Sequence, residues 1–341
     1  MKKLILIVFI GFIVFLFPFM SQAAAPFYEG KIIRIVVGNS PGGGFDLYSR
    51  AIARHMGKHI PGDPKIIVEN MPGAATLIAA NYVYKIAKPD GLTIGNINGG
   101  LFMGQVMNQE GIDFDARKFE HVGVPTQEHI VFAFTKRSGI DSMEKWINSK
   151  RPLKMGGTGP GSITPDQATK IVKEALGLPI QLISGYKGTA EVRLACEGGE
   201  LDGTCRTFDS MRMDWKKAWE TGEVVIVLQA AATPLPELPG VPLAMNYAKT
   251  PEARQLIQVG IYDPSKYLRP YVLPPGTPKD RVQILRDAFM RTMKDAEFKG
   301  EAEKAKMSLD PVSGEELEKL VLGIFSVDKA LVSKLKVILE L

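Results

Sequence analysis

Apolar residues along this chain follow two alternating rhythms. Ile32-Ile33-Arg34-Ile35-Val36-Val37, Ile66-Ile67-Val68-Glu69 and Leu92 to Ile97 are short, nearly unbroken apolar runs, which read as strands buried on both faces. Between them the apolar positions spread to helical spacing, from Asp46 to about His59 and from about Ala75 to Ala87. Breaks rich in glycine or proline separate the runs: Gly38-Asn39-Ser40-Pro41-Gly42-Gly43-Gly44, Asn70-Met71-Pro72-Gly73 and Pro89-Asp90-Gly91. Strand, turn and helix in that order predict an α/β fold, a mostly parallel sheet flanked by helices.

The rhythm then restarts. Val131-Phe132-Ala133-Phe134 predicts a strand and Ser142 to Ser149 a short helix. The strand Leu153-Lys154-Met155-Gly156-Gly157 runs into a second glycine-rich turn, Thr158-Gly159-Pro160-Gly161-Ser162. A helix from about Pro165 to Leu176 and a strand at Ile180-Gln181-Leu182-Ile183 follow. Tyr186-Lys187-Gly188-Thr189 opens another helix, and Leu201 to Thr204 and Glu223 to Leu228 read as strands. Beyond Pro234-Leu235-Pro236-Glu237-Leu238-Pro239-Gly240, helices dominate: Pro251 to Val259, Lys279 to Lys294, Ala296 to Lys306, and Gly314 to the C-terminus. One strand, Tyr271-Val272-Leu273, interrupts them. That is too little strand for a third lobe. The expected division is lobe 1 over 24–125 and 231–341, each lobe a sheet flanked by helices, and lobe 2 over 126–230. The crossovers are expected near Val124 to Glu128 and Leu228 to Ala232.

Composition excludes more than it adds. The 341 residues suit about two domains of ~150 each, and 45% hydrophobic with 23% charged residues is ordinary for a globular chain. The formal charge of +5, with Lys2 and Lys3 in a leader, is too small for a nucleic-acid binder. Those lysines precede an apolar run from Leu4 to Met20 and then Ser21-Gln22-Ala23-Ala24-Ala25. This is the make-up of a secretory signal peptide over 1–23, cleaved after Ala23, since a cut after Ala25 would place Pro26 just beyond it. The competing reading is an uncleaved anchor, because the run approaches the ~18 residues that span a bilayer. Pro18 and the small-residue site favour cleavage, so the chain is expected in the periplasm. In that oxidising compartment Cys196 and Cys205, flanking the turn Glu197-Gly198-Gly199-Glu200, either pair as a disulfide or remain two separately buried thiols.

Both glycine-rich turns lead from a strand into a helix. The first N–H groups of such a helix have no intrahelical partner, and its N-terminus carries about half a positive charge, so each turn can hold an anion. Only a bare backbone lets the anion approach closely. One turn in each lobe suggests a cleft with anion-holding walls. Catalysis finds less support. Gly38-Asn39-Ser40-Pro41-Gly42 matches G-x-S-x-G, but Pro41 lacks the N–H an oxyanion needs, and the four histidines, His55, His59, His121 and His129, all lie early in the chain. There is no P-loop and no G-x-G-x-x-G after the first strand. His55 and His59, four apart among Arg54 and Lys58, read as a solvated face rather than a metal site. No metal, no cofactor and no enzyme activity is expected.

Several motifs, in order, resemble a known family. Tyr28-Glu29-Gly30-Lys31 with the first strand and Pro41-Gly42-Gly43-Gly44-Phe45-Asp46 are similar to the opening of the tripartite tricarboxylate transporter solute receptors, also called Bug proteins. So are Val68-Glu69-Asn70-Met71-Pro72-Gly73-Ala74, Lys88-Pro89-Asp90-Gly91-Leu92-Thr93-Ile94, Gly185-Tyr186-Lys187-Gly188-Thr189-Ala190-Glu191, Gly198-Gly199-Glu200-Leu201-Asp202 and Pro274-Pro275-Gly276-Thr277-Pro278. The resemblance implies a two-lobed type-II periplasmic binding protein, a Venus flytrap, acting as a monomer. It would capture a small organic acid and deliver it to the membrane permease subunits of such a transporter; the alternative is a sensory protein on the same scaffold, signalling to a membrane partner. It implies a ligand site at Gly43, Gly44, Phe45 and Asp46, faced by Thr158, Gly159, Gly161 and Ser162. Asn98, Gly99, Gly100, Tyr186, Lys187, Gly188, Phe208 and Asp209 would approach the cleft. Gly38-Asn39-Ser40 replaces the family's longer apolar-proline stretch, and Gly156-Gly157-Thr158 stands where serines are usual. Arg206, outside the family pattern, would either meet a second ligand carboxylate or make a structural salt bridge.

Overall fold

The computed structural model describes residues 25–159 and 161–340; the expected leader over 1–23 lies outside the described residues. The chain runs β1 (Ile32–Val37), α1 (Gly44–Met56), β2 (Lys65–Asn70), α2 (Leu77–Lys85), β3 (Thr93–Asn96), α3 (Gly100–Val106) and β4 (Glu120–Val124). It continues with β5 (Ile130–Thr135), α4 (Met143–Ile147), β6 (Leu153–Gly156), α5 (Ala168–Leu176), β7 (Ile180–Ile183), α6 (Thr189–Gly198), β8 (Gly203–Thr207), α7 (Phe208–Asp214), α8 (Lys216–Glu220) and β9 (Val224–Ala230). The last part holds α9 (Pro251–Ile257), α10 (Asp263–Ser265), β10 (Tyr271–Leu273), α11 (Lys279–Lys294), α12 (Ala296–Lys304), β11 (Val312–Ser313), α13 (Gly314–Ile324) and α14 (Lys329–Leu339).

These strands form two mixed sheets, ordered β11-β4-β10-β3-β1-β2 and β7-β6-β8-β5-β9. In the first, β1 lies parallel to β2 and β3, while β10 returns antiparallel between β3 and β4. In the second, β6 is parallel to β7 and β8, and β5 is antiparallel to β8 and β9. Every residue of β5 is buried, which explains why its sequence is apolar without alternation.

Local chemistry sets the helix ends. Thr250 accepts the Ala253 N–H ahead of Pro251 at the start of α9, and the Asp295 carboxylate accepts the Phe298 N–H to cap α12. Along α11, Val282, Leu285, Ala288, Phe289, Thr292 and Met293 form the buried stripe, three and four apart. The helices α11 and α13 pack on β4, whereas α9 and α14 pack against α5 beside the second sheet. No helix among the described residues is long and apolar enough to cross a membrane.

Two expected helices differ. The one expected from Ala75 begins at Leu77, because Ala74, Ala75 and Thr76 take φ of +46°, +51° and +76°. The one expected from Gly314 to the end breaks after Ile324, and Asp328 starts a new helix by accepting the Ala330 and Leu331 N–H groups. Elements with no expectation in the sequence are α3, α7, α8, α10, β4 and β11.

The disulfide alternative is corrected: Cys196 and Cys205 are free and buried. Strand alternation is the reason. Cys205 sits opposite Phe132 on the face of β8 covered by α5, near Thr169, while Cys196 on α6 packs on the other face with Val131 and Ala133. Burial pushes the Cys196 thiol up to about 12 and that of Cys205 well above its ordinary value.

Candidate functional site

The turn after β1 is held by its own carboxylate. Asp46, in the first turn of α1, accepts the Gly42 N–H at 2.9 Å, Arg50 Nε at 2.9 Å and Asn70 Nδ2 at 3.0 Å. Burial alone would raise the Asp46 pKa; the bonds from Arg50, Gly42 and Asn70 outweigh it and hold the carboxyl below its ordinary value. Asp46 therefore shapes the loop rather than offering charge to a ligand. Its work leaves the Gly43, Gly44 and Phe45 N–H groups without an acceptor among the described residues.

The other half of the molecule lies directly over that start of α1. A Cβ on Gly43 would come within 2.8 Å of Thr189 Oγ1, and one on Gly44 within 2.3 Å of Ser210 Oγ. Next to them, a Cβ on Gly188 would meet Ser40 Oγ at 2.4 Å. A side chain at any of the three would have to displace a hydroxyl of the opposing half.

The second glycine-rich turn departs from expectation. Thr158 N–H at 2.5 Å and Gly159 N–H at 2.9 Å both donate to Asp166 Oδ2, and Ser184 Oγ bonds Oδ1. The anion these donors hold is the chain's own. Burial raises the Asp166 pKa against the lowering effect of its bonds from Ser184, Gly159 and Thr158. The turn still reaches across the molecule: Asn98 Nδ2 donates to Ser162 Oγ at 3.1 Å, and Asn98 Oδ1 accepts the N–H of Gly100 at 3.0 Å and of Ile163 at 3.2 Å. A Cβ on Gly100 would strike the Gly161 carbonyl at 2.5 Å, and Gly159 faces Ala75. Gly99 faces inward, against the Tyr267 carbonyl.

The left-handed run at Ala74–Thr76 belongs to this contact. Such a conformation costs about 1–2 kcal/mol per non-glycine residue, and the fold holds it by donating the Asn98 N–H to Thr76 Oγ1 at 2.8 Å. Thr76 also packs on Gly38, where a Cβ would approach its Cβ to 2.3 Å.

Several expected ligand contacts fall elsewhere. The Tyr186 hydroxyl donates to Glu200 Oε1 at 2.6 Å, and Lys187 is exposed, its N–H given to Glu191. Phe208 is core, edge-on to Trp219 at 5.4 Å. Arg206 is the structural salt bridge: it faces Asp214 at 2.6 Å and lies over Trp215, on the face of β8 turned to α7 and α8. Asp209 does lie between the halves, but protein donors take both its oxygens. Tyr48 Oη at 2.6 Å and the Ser308 N–H at 2.8 Å bond Oδ2; Ser308 Oγ at 2.7 Å and Arg212 at 2.8 Å bond Oδ1. Those bonds hold it below its ordinary pKa despite burial.

Sequence reading missed the group beside Asp209. Arg269, in the segment entering β10, is 1% exposed and stacks over Tyr48 and Phe45, its carbon centre 4.8 and 5.4 Å from the ring centroids. Its Nη2 donates to Thr207 Oγ1 at 2.8 Å and Ser210 Oγ at 3.1 Å. Nε lies 2.8 Å from Glu128 Oε1 but is not aimed at it, so that contact is ionic without a well-formed hydrogen bond. Burial drives the Glu128 carboxyl up to about 7; Arg269 opposes the rise and Asp209 adds to it. The available signal was an arginine inside the otherwise uncharged run Tyr267-Leu268-Arg269-Pro270-Tyr271.

Two other features lie apart from this region. His55, Asp295 and Glu297 bring cation-ligand atoms within 4.8 Å of one another, a grouping the sequence did not reveal. The Lys58 ammonium already lies against both acids, 3.0 Å from Asp295 and 2.5 Å from Glu297. A cavity of about 890 Å³ between α5, β7 and α14 reaches Asp166 from the far side, and its Lys170 and Lys334 already pair with Glu340 and Glu252.

Comparison with known proteins bears on this arrangement. The sequence profile of the TctC family, described as the tripartite tricarboxylate transporter family receptor, matches residues 48–337. The "UPF0065 protein in gbd 5'region" of Cupriavidus necator is 25% identical over 92% of this chain and 90% of its own length. The structure of the periplasmic binding protein BugD superposes with a TM-score of 0.74 at 19% identity, covering 91% of this chain and 98% of that one. MatC from Rhodopseudomonas palustris, solved with bound malate, gives 0.71 at 21% identity, covering 89% and 99%. These likenesses establish the two-lobed fold.

Proposed function

We infer, from the premise that this chain belongs to the tripartite tricarboxylate transporter receptor family, that it captures a small organic carboxylate between its lobes in the periplasm and delivers it to the membrane permease subunits of such a transporter. The observation that carries this reading is the start of α1. Gly43, Gly44 and Phe45 present N–H groups at the positive end of a helix, and the first two, bare of side chains, lie beneath Thr189 and Ser210 of the opposing half. MatC, a relative of the same fold, holds malate.

The mechanism follows from where the contacts lie. Lobe 1, built on the first sheet, supplies the β1–α1 turn; lobe 2, taken as 126–230 and joined, against the expected boundary, by α9 and α14 packed on α5, supplies the Gly188–Ala190 turn and the start of α7. A carboxylate touching both stabilises the closed arrangement by contacts the open one lacks. The chain acts as a monomer after losing residues 1–23. Asn98 with Ser162 and Asp209 with Tyr48 and Ser308 complete the closed interface without engaging the ligand.

Calorimetry with malate tests the reading. Gly43→Val places side-chain atoms against Thr189 and is expected to abolish binding while the thermal transition of the free protein is kept. Undiminished affinity in that variant would remove the β1–α1 turn from the site.

A further inference from the structure

The guanidinium of Arg269 is placed where a buried cation is least at home. The positive end of α1 points the same way as its own charge, and a cation near a helix N-terminus is repelled. Glu128 compensates Nε, and Thr207 and Ser210 satisfy Nη2. Nη1 is buried and has no hydrogen-bond partner. It packs beside the first residue of α1: a Cβ on Gly44 would lie 2.7 Å from it. The arginine Nη1 and the start of α1, whose Gly44 and Phe45 N–H groups have no acceptor among the described residues, thus lie side by side on different elements. A buried donor without a partner is expensive, and two of like sign side by side are more so.

We propose that Arg269 is the charged half of the ligand site, its Nη1 donating to a carboxylate oxygen that also accepts from the Gly44 and Phe45 N–H groups. This rests on the reading of the protein as a carboxylate receptor and adds what makes the site select an ionised acid over its neutral isostere. The Ser210 hydroxyl is the group nearest Gly44 from the other half, and it belongs to α7. Withdrawing α7 as the lobes open uncovers Nη1; returning it over a bound carboxylate brings a hydroxyl donor to the same oxygens. Glu128 offsets only part of the guanidinium charge, so the incoming carboxylate supplies negative charge that Arg269 and the helix end together can hold.

The test compares malate, adipate and acetate with malamide, the neutral diamide of malate, by calorimetry on the mature chain. Wild-type protein is expected to bind at least one carboxylate and to reject malamide. Arg269→Gln is expected to weaken carboxylate binding roughly 10- to 100-fold, the value of a charge-assisted hydrogen bond, and to narrow the preference over malamide. Arg269→Lys, which keeps the charge and loses the planar fork, is expected to fall between. Because Arg269→Gln leaves Glu128 unpaired and could unfold the chain, Glu128→Gln/Arg269→Gln is measured beside it and is expected to fold and to bind as weakly. Carboxylate affinity within twofold of wild type in the folded double variant overturns the role of Arg269 and leaves the receptor reading standing. Wild-type protein that binds none of the three acids, or binds malamide as tightly as malate, overturns both.

Discussion

Replacing Asp166 tests the finding that the second glycine-rich turn is closed by an internal anion. In Asp166→Ala, the Thr158 and Gly159 N–H groups lose the acceptor they share at 2.5 and 2.9 Å. Both residues are buried, and water entering from the cavity beside Asp166 replaces the fixed, shared acceptor only in part. An unsatisfied buried donor costs about 1–3 kcal/mol, which puts the loss at roughly 2–6 kcal/mol before relaxation. Part of that is returned, because the wild-type protein pays to bury the carboxylate, as its raised pKa shows. The expected net loss is about 2–4 kcal/mol. Asp166→Asn keeps an acceptor oxygen for the two N–H groups, and its amide can donate to Ser184 Oγ, so it is expected to lose about 1 kcal/mol or less. Urea unfolding followed by circular dichroism measures both, with the slopes compared to guard against a change in the unfolded state. Equal losses in the two variants would refute the argument, since the shared acceptor would then contribute nothing.

Two further expectations concern buried ionisable groups. Glu128 titrates near 7 in the folded chain against about 4.5 ordinarily, so the folded form binds its proton more tightly. Stability from this carboxyl is therefore lost as pH rises from about 4.5 through 7, by roughly 3 kcal/mol in all. His121, lowered to about 4 by burial, acts with the opposite sign below pH 6.5, so the informative quantity is the difference between wild type and Glu128→Gln. That difference is expected to shift in favour of the variant by about 3 kcal/mol between pH 4.5 and 8 in chemical unfolding, and a flat difference would contradict it. The native chain is expected to react with no thiol reagent at neutral pH and to show two thiols in urea; none in urea would restore the disulfide alternative.

The legible parts of the fold are those with strong local causes. Strand β1 and helix α11 begin and end where their apolar pattern and flanking breaks place them, and the glycine-rich break at 38–44 falls between β1 and α1. What escaped notice depends on which face a residue takes or on partners distant in sequence. Cys196 and Cys205 are near neighbours in the chain, yet sheet alternation puts them on opposite faces. Tyr186 belongs to a motif at the mouth of a turn, but its ring turns to Glu200 on the same lobe. Ala74, Ala75 and Thr76 carry no left-handed signature, since their conformation is imposed by Gly38 and Asn98. Asp166 carries no signal of its role in the sequence, because its bonds from the preceding turn and from Ser184 depend on how the chain folds back there. Arg269 and Glu128 meet only because the chain leaves the first sheet and later returns to it through β10.

Closure around a carboxylate is measured most directly as a distance between the lobes. Ile78 on α2 and Leu194 on α6 are both exposed, at 52% and 57%, and the native thiols are buried. Spin labels on Ile78→Cys and Leu194→Cys, read by double electron–electron resonance with and without malate or whichever acid the wild-type protein binds, report the separation. The account predicts a broad distribution that shortens and narrows on adding the acid, and does neither in the Gly43→Val background. A distribution unchanged by a saturating, calorimetrically verified ligand would contradict it.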